Sequence, residues 1–477
     1  MRKRMTTTND PIPINVWELR AELMRRDLFE FVKYFWEIVV PDEPHWNWHI
    51  PYLCERVQHA IEAVINDEPA RDMIINIPPG STKSTIVSVM APVWAWTRHP
   101  GLRILSASYS ASLSTDLAVK SRDIIRSGPF RDHFPDIEIK SDTDNKTHYK
   151  NTHGGERMAT STTGAATGFH ADLILIDDPL NAQMALSDAS TEAAQRFLDS
   201  TLSTRKTNKD ISRTILIMQR LSERDPTGVW LRERPDRIDH ICIPGVAGPN
   251  IHPPELREHY DDAAGLMDPV RMSVDALNEL KKQLGGYGYA GQILQQPIPL
   301  DTAIWKPEWF KRTPRSEFPE ALQYDGNDWD LAYTTKEQNS ASAYISAGKY
   351  QNQMYIHGAG AVWKEFPQLV AFMRAVPGAH YVEAKASGKS AVQTLKSQGI
   401  PAKEVNGVST DKIARATLAS PFAEAGLIHV ADDIWDFLFF DDAQGVAKFP
   451  NGQHDDLADA LAQSINRLLN KPKLFVF

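Results

Sequence analysis

Apolar positions divide the chain into three textures. Leu19, Leu23, Leu28, Phe31 and Phe35 recur at near-helical spacing and predict a helix over 15–40. An Asn15/Glu18 capping box opens it, and Pro41 and Pro44 stop it. A second helix is expected over 46–65. Short apolar runs then alternate with longer helical stretches. Strands are expected over 73–77, 103–107, 173–176, 214–218 and 238–243, and helices over 84–96, 110–126 and 190–203. This β-α alternation predicts a mostly parallel sheet covered by helices. Residues 245–315 are rich in Pro and Gly, with one amphipathic helix over 273–284 ahead of Gly285-Gly286-Tyr287-Gly288-Tyr289. The third texture is mixed α/β. Strands over 324–333, 342–348 and 353–358 precede a helix (367–375), a strand (380–383), a helix (390–398), a short strand near Val405, a helix (412–423), the run 426–430 and a final helix (455–469). The expected domains are 1–245 (1–66 helical), a connecting part 246–317, a second domain 318–470 and a tail 471–477.

The 477 residues are 42% hydrophobic and 24% charged, ordinary globular composition with enough apolar chain for real cores. No run approaches the ~18–20 apolar residues of a membrane span, which excludes an integral membrane protein. Two cysteines, Cys54 and Cys242, exclude a disulfide framework and a Cys-rich zinc site, so a reduced, cytosolic chain is expected. The net charge of −9 argues against tight, passive DNA binding. Basic groups concentrate locally instead, between Arg205 and Arg237 and between Lys364 and Lys403, a pattern suited to transient grips on DNA.

One candidate site lies on the first sheet. Pro78-Pro79-Gly80-Ser81-Thr82-Lys83-Ser84-Thr85 places a lysine and hydroxyls where a strand turns into a helix. Helix-start N–H groups suit phosphates, Lys83 suits the β/γ oxygens and the Ser84 hydroxyl suits Mg²⁺. In the usual frame Thr82 stands at the second glycine and Ile77 at the first. Alone, such a segment is more often an ordinary helix start. A buried strand further on ends in Asp177-Asp178. Asp177 is placed for the Mg²⁺ shell and Asp178 for orienting and deprotonating water. An acidic turn before Pro179 is the bland reading, and the two motifs together favour nucleotide hydrolysis. A third strand ends in Gln219-Arg220, which on a parallel sheet faces the same crevice.

The second candidate is a set of carboxylates: Asp330, Glu383 at a strand end, and Asp455, Asp456 and Asp459 at the start of the last helix. Asp455 and Asp459, four apart, share a helix face. Carboxylates on two strands and a late helix suit two Mg²⁺ or Mn²⁺ ions about 4 Å apart. Helix capping by Asp455 and a turn at Asp330 are the structural alternatives.

In this order the elements resemble the large terminase subunit of tailed bacteriophages over roughly 40–470. The segment Pro44-His-Trp-Asn-Trp-His49 stands where that family has its adenine-side motif. Pro78 to Ser84 resembles its proline-led, degenerate phosphate loop. Thr163 to Asp172 leads into the Asp177-Asp178 strand as in that family, and Met218-Gln219-Arg220 with Asp225 to Gly228 is similar to its coupling motif. Tyr287 to Pro297 resembles its linker. Asp330, Val382 to Gly388, Asp411-Lys412 with Arg415, and His454-Asp455-Asp456 with Asp459 match its nuclease motifs.

The resemblance implies a P-loop (RecA/ASCE-like) ATPase domain joined to an RNase H-like nuclease domain. It implies ATP with Mg²⁺ held by Pro79 to Thr85, Asp177, Asp178, His49 and Gln219. It also implies two Mg²⁺ or Mn²⁺ at Asp330, Glu383, Asp455, Asp456 and Asp459, with the direct ligand open between Asp455 and Asp456. It further implies double-stranded DNA as substrate, a portal protein and a small terminase subunit as partners, and a homo-oligomeric ring on the procapsid. No membrane is involved, and the location is the host cytoplasm and the portal vertex. A neighbouring subunit's arginine is expected to complete the ATP site, with Arg122, Arg126 and Arg157 as candidates. The rivals are a helicase-nuclease, which needs a second RecA-like half, and an RNase H-like nuclease or transposase without a motor.

Overall fold

The alternation of short apolar runs and helices resolves into two sheets, one in each of two compact units. The computed structural model describes residues 16–69, 71–164, 168–261, 263–298, 304–332, 340–383, 386–405, 411–452 and 454–470. The first unit comprises residues up to Asn181, Ala189–Arg220 and Arg224–Asp268. The second comprises Ala182–Asp188, Leu221–Glu223 and the chain from Pro269 onward. Residues 246–268 thus belong to the first unit and 269–317 to the second. Among the described residues no helix is long and apolar enough to cross a membrane. The Asn15 cap, Ala165 to Thr167, Tyr333 and the tail 471–477 lie outside the described residues.

The first sheet contains β1 (Asp72–Asn76), β2 (Arg103–Ser108), β3 (Ile139–Asp144), β4 (His148–Asn151), β5 (Glu156–Ser161), β6 (Leu173–Asp177), β7 (Arg213–Met218) and β8 (Ile238–Cys242). Their order is β3-β4-β5-β2-β6-β7-β1-β8. Neighbours from β5 to β8 are parallel, and β3 and β4 extend the edge in antiparallel pairing. β7 therefore lies between β1 and β6, with Met218 opposite Asn76 and Ile217 opposite Asp177. A strand inserted between the phosphate-loop strand and the acidic strand is the ASCE form of the P-loop fold. β1, β6 and β7 are buried on both faces, which explains their unbroken apolar sequences.

The second sheet contains β9 (Lys311–Thr313), β10 (Gln323–Asp330), β11 (Ser342–Tyr350), β12 (Gln353–Val362), β13 (Ala379–Glu383), β14 (Ala402–Val405) and β15 (Ile428–Ala431), in the order β14-β13-β10-β11-β12-β15-β9. β10, β11 and β12 form an antiparallel meander, and β13 and then β14 add in parallel beside β10. This is the RNase H-like order, with β15 and β9 added beyond β12. Alternation along β10 puts Trp329 in one core with Leu369, Met373, Val382 and Leu395. Leu457, Leu461 and Ile465 of the last helix, Asp456–Leu468, share a second core with Ile345, Ile356 and Val430.

Several elements differ from the sequence expectation. The first predicted helix is two, Val16–Arg26 and Leu28–Val39. Asp27 is extended, and its carboxylate accepts from Phe29 N at 2.7 Å and Glu30 N at 3.1 Å, capping the second. The helix after the phosphate loop begins as a π-helix, Thr85–Met90, before continuing as Ala91–Arg98. β3, β4 and β5 were not expected. β3 (Ile-Lys-Ser-Asp-Thr-Asp) has no apolar run because it is a partly exposed edge.

The helix from Val274 breaks at Gly285 (φ 66°, ψ 174°), where the sequence placed its end, and a second helical segment to Gln292 follows where a loop was expected. The Gly286 N–H at the break donates to Glu424 Oε2 at 2.8 Å. A Cβ at 285 would stand 2.8 Å from Pro421 Cγ, so glycine is needed there for both backbone and space. Gly285→Ala is expected to cost about 1–3 kcal/mol, measured as a lower urea midpoint than wild type. An unchanged midpoint contradicts the kink's geometry.

Candidate functional site

Two clusters of chemistry form, each at the C-terminal ends of neighbouring parallel strands. In the first unit β1 ends at Asn76, and Pro78-Pro79 cannot continue the ladder. The loop turns through Gly80 (φ 77°) and Thr82 (φ 68°) into the helix. Thr82 holds, as a β-branched residue, a conformation that glycine adopts freely, which is the kind of local strain found at binding loops. Ser81 is buried and its hydroxyl donates to the Pro78 carbonyl at 2.7 Å, closing the turn.

Lys83 is buried and its ammonium lies 3.1 Å from Asp178 Oδ2. Ser84 Oγ donates to Asp177 Oδ1 at 3.0 Å. Asp178 takes φ 42°, fixed by its N–H on Ile217 O (2.9 Å) and by Tyr109 N on its carbonyl (3.1 Å). The Gln219 amide reaches Asp178 Oδ1 at 3.3 Å. The loop, both aspartates and Gln219 therefore meet at one place. Two polar atoms there are buried without a hydrogen bond, Asp177 Oδ2 and Gln219 Oε1. An orphaned carboxylate oxygen beside a serine hydroxyl fits a Mg²⁺ shell, and a loop that leads into a helix start suits phosphate oxygens. Burial, followed by the charge of Asp178, pushes the Asp177 carboxyl up to about 6 against the pull of Lys83 and Ser84.

Three residues are placed otherwise than the sequence suggested. His49 is fully buried. Its Nε2 lies 3.2 Å from the Ser81 carbonyl and its Nδ1 3.1 Å from Asn47 Nδ2, so it braces the backbone of the phosphate loop. Arg220 Nε donates to both oxygens of Asp225, at 3.1 and 3.0 Å, and Asp225 caps the helix Pro226–Glu233. Arg157 is 1% exposed and donates to Ser88 O and Ser121 Oγ, which removes it as an arginine offered to a neighbour. Arg122 and Arg126 both engage Asp144. Sequence reasoning missed Asn76, a fully buried hub. Its amide donates to Met218 O (3.1 Å) and Thr227 Oγ1 (3.0 Å), so its oxygen accepts from His240 Nε2 (2.9 Å). Burial above all, with His252 and Arg220 nearby, lowers the His240 pKa to about 3, keeping that imidazole neutral.

In the second unit Asp330 ends β10 and Glu383 ends the adjacent β13. Gly388 lets the following helix close over that end, since a Cβ there would lie 2.0 Å from the Glu383 carbonyl oxygen. Asp455, Asp459, Gln463 and Arg467 recur every four residues along one stripe of the last helix. Asp411 caps the helix Lys412–Glu424 through Ala414 N (2.9 Å), which presents Lys412 and Arg415 one turn apart. Lys412 Nζ lies 2.7 Å from Asp455 Oδ1, 3.4 Å from Asp459 Oδ2 and 3.9 Å from Asp330 Oδ2. Arg415 bridges Glu383 and Asp459.

Asp330, Glu383, Asp455 and Asp459 thus form one cluster around two cations. Asp456 does not join it. It is 2% exposed and accepts from Ala341 N at 2.8 Å and Gln444 Nε2 at 3.2 Å, so its expected role as a ligand gives way to a structural one. Burial works against the Lys412 ammonium, but Asp455, Asp330 and Asp459 outweigh it and hold its pKa above the ordinary lysine value. Burial pushes the Asp459 carboxyl up, against Arg415 and Lys412. The donors are all hard oxygens, and Asp459 Oδ2 is buried without a hydrogen bond, which fits a divalent cation. In this state no three of the described ligand-type side chains close around an ion, since Lys412 and Arg415 stand between them. Further along the stripe, Arg467 makes a forked ion pair with the fully buried Asp328 (2.7–2.9 Å), a feature sequence reasoning missed although the four-residue spacing pointed to it.

No family model matches the sequence, and no curated protein matches it. Solved structures do. The large terminase of a thermophilic bacteriophage covers 87% of this chain and 98% of its own, at 12% identity and a TM-score of 0.53. Its complex with ADP covers 87% and 99% at 12% identity and 0.52, and its complex with ATP-gamma-S covers 86% and 98% at 12% identity and 0.51. The fold is that of a phage large terminase.

The raised Asp177 pKa has a stability consequence. The folded chain keeps the Asp177 proton up to about pH 6, whereas the unfolded chain loses it near 3.8. The penalty is therefore absent below pH 3.8, grows between 3.8 and 6 and is complete above 6. Asp177→Asn is expected to raise the stability of the nucleotide-free protein at pH 8, with the gain fading as pH falls toward 4 in urea titrations. A variant less stable than wild type at pH 8 contradicts this.

Proposed function

We propose that this chain is an ATP-driven double-stranded DNA translocase joined to a metal-dependent DNA endonuclease, acting as the large terminase subunit of a viral genome-packaging motor. The observation that carries the reading is the occurrence in one chain of two separate clusters. Lys83, Ser84, Asp177 and Asp178 lie on a P-loop sheet, and Asp330, Glu383, Asp455 and Asp459 lie on an RNase H-like sheet.

In the motor, the loop amides of Gly80 to Ser84 bind the phosphates and Lys83 leaves Asp178 for the β/γ oxygens. Asp178, released from that ion pair, takes a proton from the attacking water, and Gln219 at its side positions that water. Magnesium, when bound by Ser84 and Asp177, supplies charge neutralisation on the phosphates. Loss of the γ-phosphate lets Lys83 return to Asp178, and Gln219 and Arg220 relay the change along the chain. In the nuclease, Asp330, Glu383, Asp455 and Asp459 would hold divalent ions, which when bound would supply Lewis acidity for attack of water on the scissile phosphate and for departure of the 3′ oxygen. Cuts in concatemeric DNA begin and end each packaging event.

The partners in this reading are double-stranded DNA, a portal protein and a small terminase subunit, with a homo-oligomeric ring at the procapsid in the host cytoplasm. Of the candidate arginines, Arg126, the exposed one, would complete the ATP site of a neighbouring subunit, since Arg122 is buried against Asp144. The helicase-nuclease reading is disfavoured because the second sheet has the RNase H-like strand order rather than that of a second RecA-like half. A transposase without a motor leaves the first cluster unexplained.

Paired variants test the assignment. Lys83→Ala is expected to abolish ATP turnover, a loss of at least about 100-fold, while metal-dependent DNA cleavage persists. Asp330→Ala is expected to do the reverse. ATP turnover surviving in the first, or Mg²⁺- or Mn²⁺-dependent cleavage surviving in the second, removes that residue from its site.

A further inference from the structure

The acidic cluster of the second unit contains its own counter-ions, and the two differ in mobility. The Arg415 side chain is 5% exposed and pinned between Glu383 and Asp459. The Lys412 side chain is 34% exposed and its ammonium lies among Asp330, Asp455 and Asp459, 2.7–3.9 Å from an oxygen of each. Lysine is a compact charge on a flexible stem, whereas arginine is a planar fork fixed by paired hydrogen bonds.

We propose that Lys412 is the resident cation of this cluster, and that its ammonium must withdraw before a divalent ion enters among Asp330, Asp455 and Asp459. This rests on the reading of the cluster as a metal site. Withdrawal needs only rotation of the lysine stem, because the Asp411 cap fixes the backbone of residue 412 and the side chain already reaches solvent. Arg415 stays and holds Glu383 and Asp459 in place. The lysine thereby keeps four carboxylates from repelling one another in the resting chain and sets a threshold for metal entry.

Calorimetric titration with Mn²⁺, without nucleotide, tests this on the full chain. Lys412→Met is expected to bind Mn²⁺ at least about tenfold more tightly than wild type and to melt at a lower temperature without metal. In the wild type, Mn²⁺ is expected to increase acylation of the Lys412 amine by an amine-reactive reagent several-fold, read by peptide mass spectrometry. This second measurement decides the matter if the methionine variant does not fold. Equal or weaker Mn²⁺ binding by Lys412→Met, or Lys412 acylation unchanged by Mn²⁺ that does bind, overturns the proposal and leaves the metal site standing. Mn²⁺ binding to neither protein, or binding to Asp330→Asn as tight as to wild type, overturns the metal reading itself and this proposal with it.

Discussion

Like charges do not share a buried place without a cation between them, and both units of this chain are organised around that constraint. In the first, Asp177 and Asp178 end one buried strand, and Lys83 from the phosphate loop reaches Asp178. In the second, Asp330 and Glu383 end adjacent strands, two aspartates approach on the last helix, and Lys412 and Arg415 stand among them. Each cation comes from the start of a helix, near Lys83-Ser84 or Lys412. The arrangement is costly without ligand, as the raised Asp177 and Asp459 carboxyls register. Such cost is retained where a bound cation or phosphate relieves it.

The scaffold holds these groups with interactions remote from the chemistry. Asn76 ties β1 to β7 and, through His240, to β8, fixing the strand from which the phosphate loop springs. Asp328 and Arg467 do the same for the second cluster. They lie on the same strand as Asp330 and the same helix stripe as Asp459, and their forked ion pair sets the register of helix on sheet. A buried carboxylate left without its arginine costs about 3–5 kcal/mol, so this pair fixes where Asp455 and Asp459 stand.

Much of this was readable from residue pattern. Doubly buried strands carry unbroken apolar runs, so β1, β6 and β7 announced themselves and with them the strand ends that carry Lys83, Asp177 and Gln219. The edge strand β3 did not, because solvent removes the need for apolar residues there. Glycines at 285–288 mark a terminator, and Gly285 does break the helix, but a second helical segment follows, its Gly286 amide served by Glu424 and Pro421 filling the space beside Gly285. Adjacent residues such as Asp455 and Asp456 look equivalent in sequence. A helix rotates them by about 100°, which sends one to Lys412 and the other to Gln444.

The central claim is that one chain carries two distinct hydrolytic centres. A single preparation of wild-type protein, assayed for ATP hydrolysis with Mg²⁺ and for conversion of supercoiled plasmid to nicked and linear forms with Mn²⁺ or with chelator, addresses it most directly. The account predicts both activities, with plasmid cleavage abolished by chelator and independent of ATP. Absence of either activity, or plasmid cleavage that survives chelation, contradicts it.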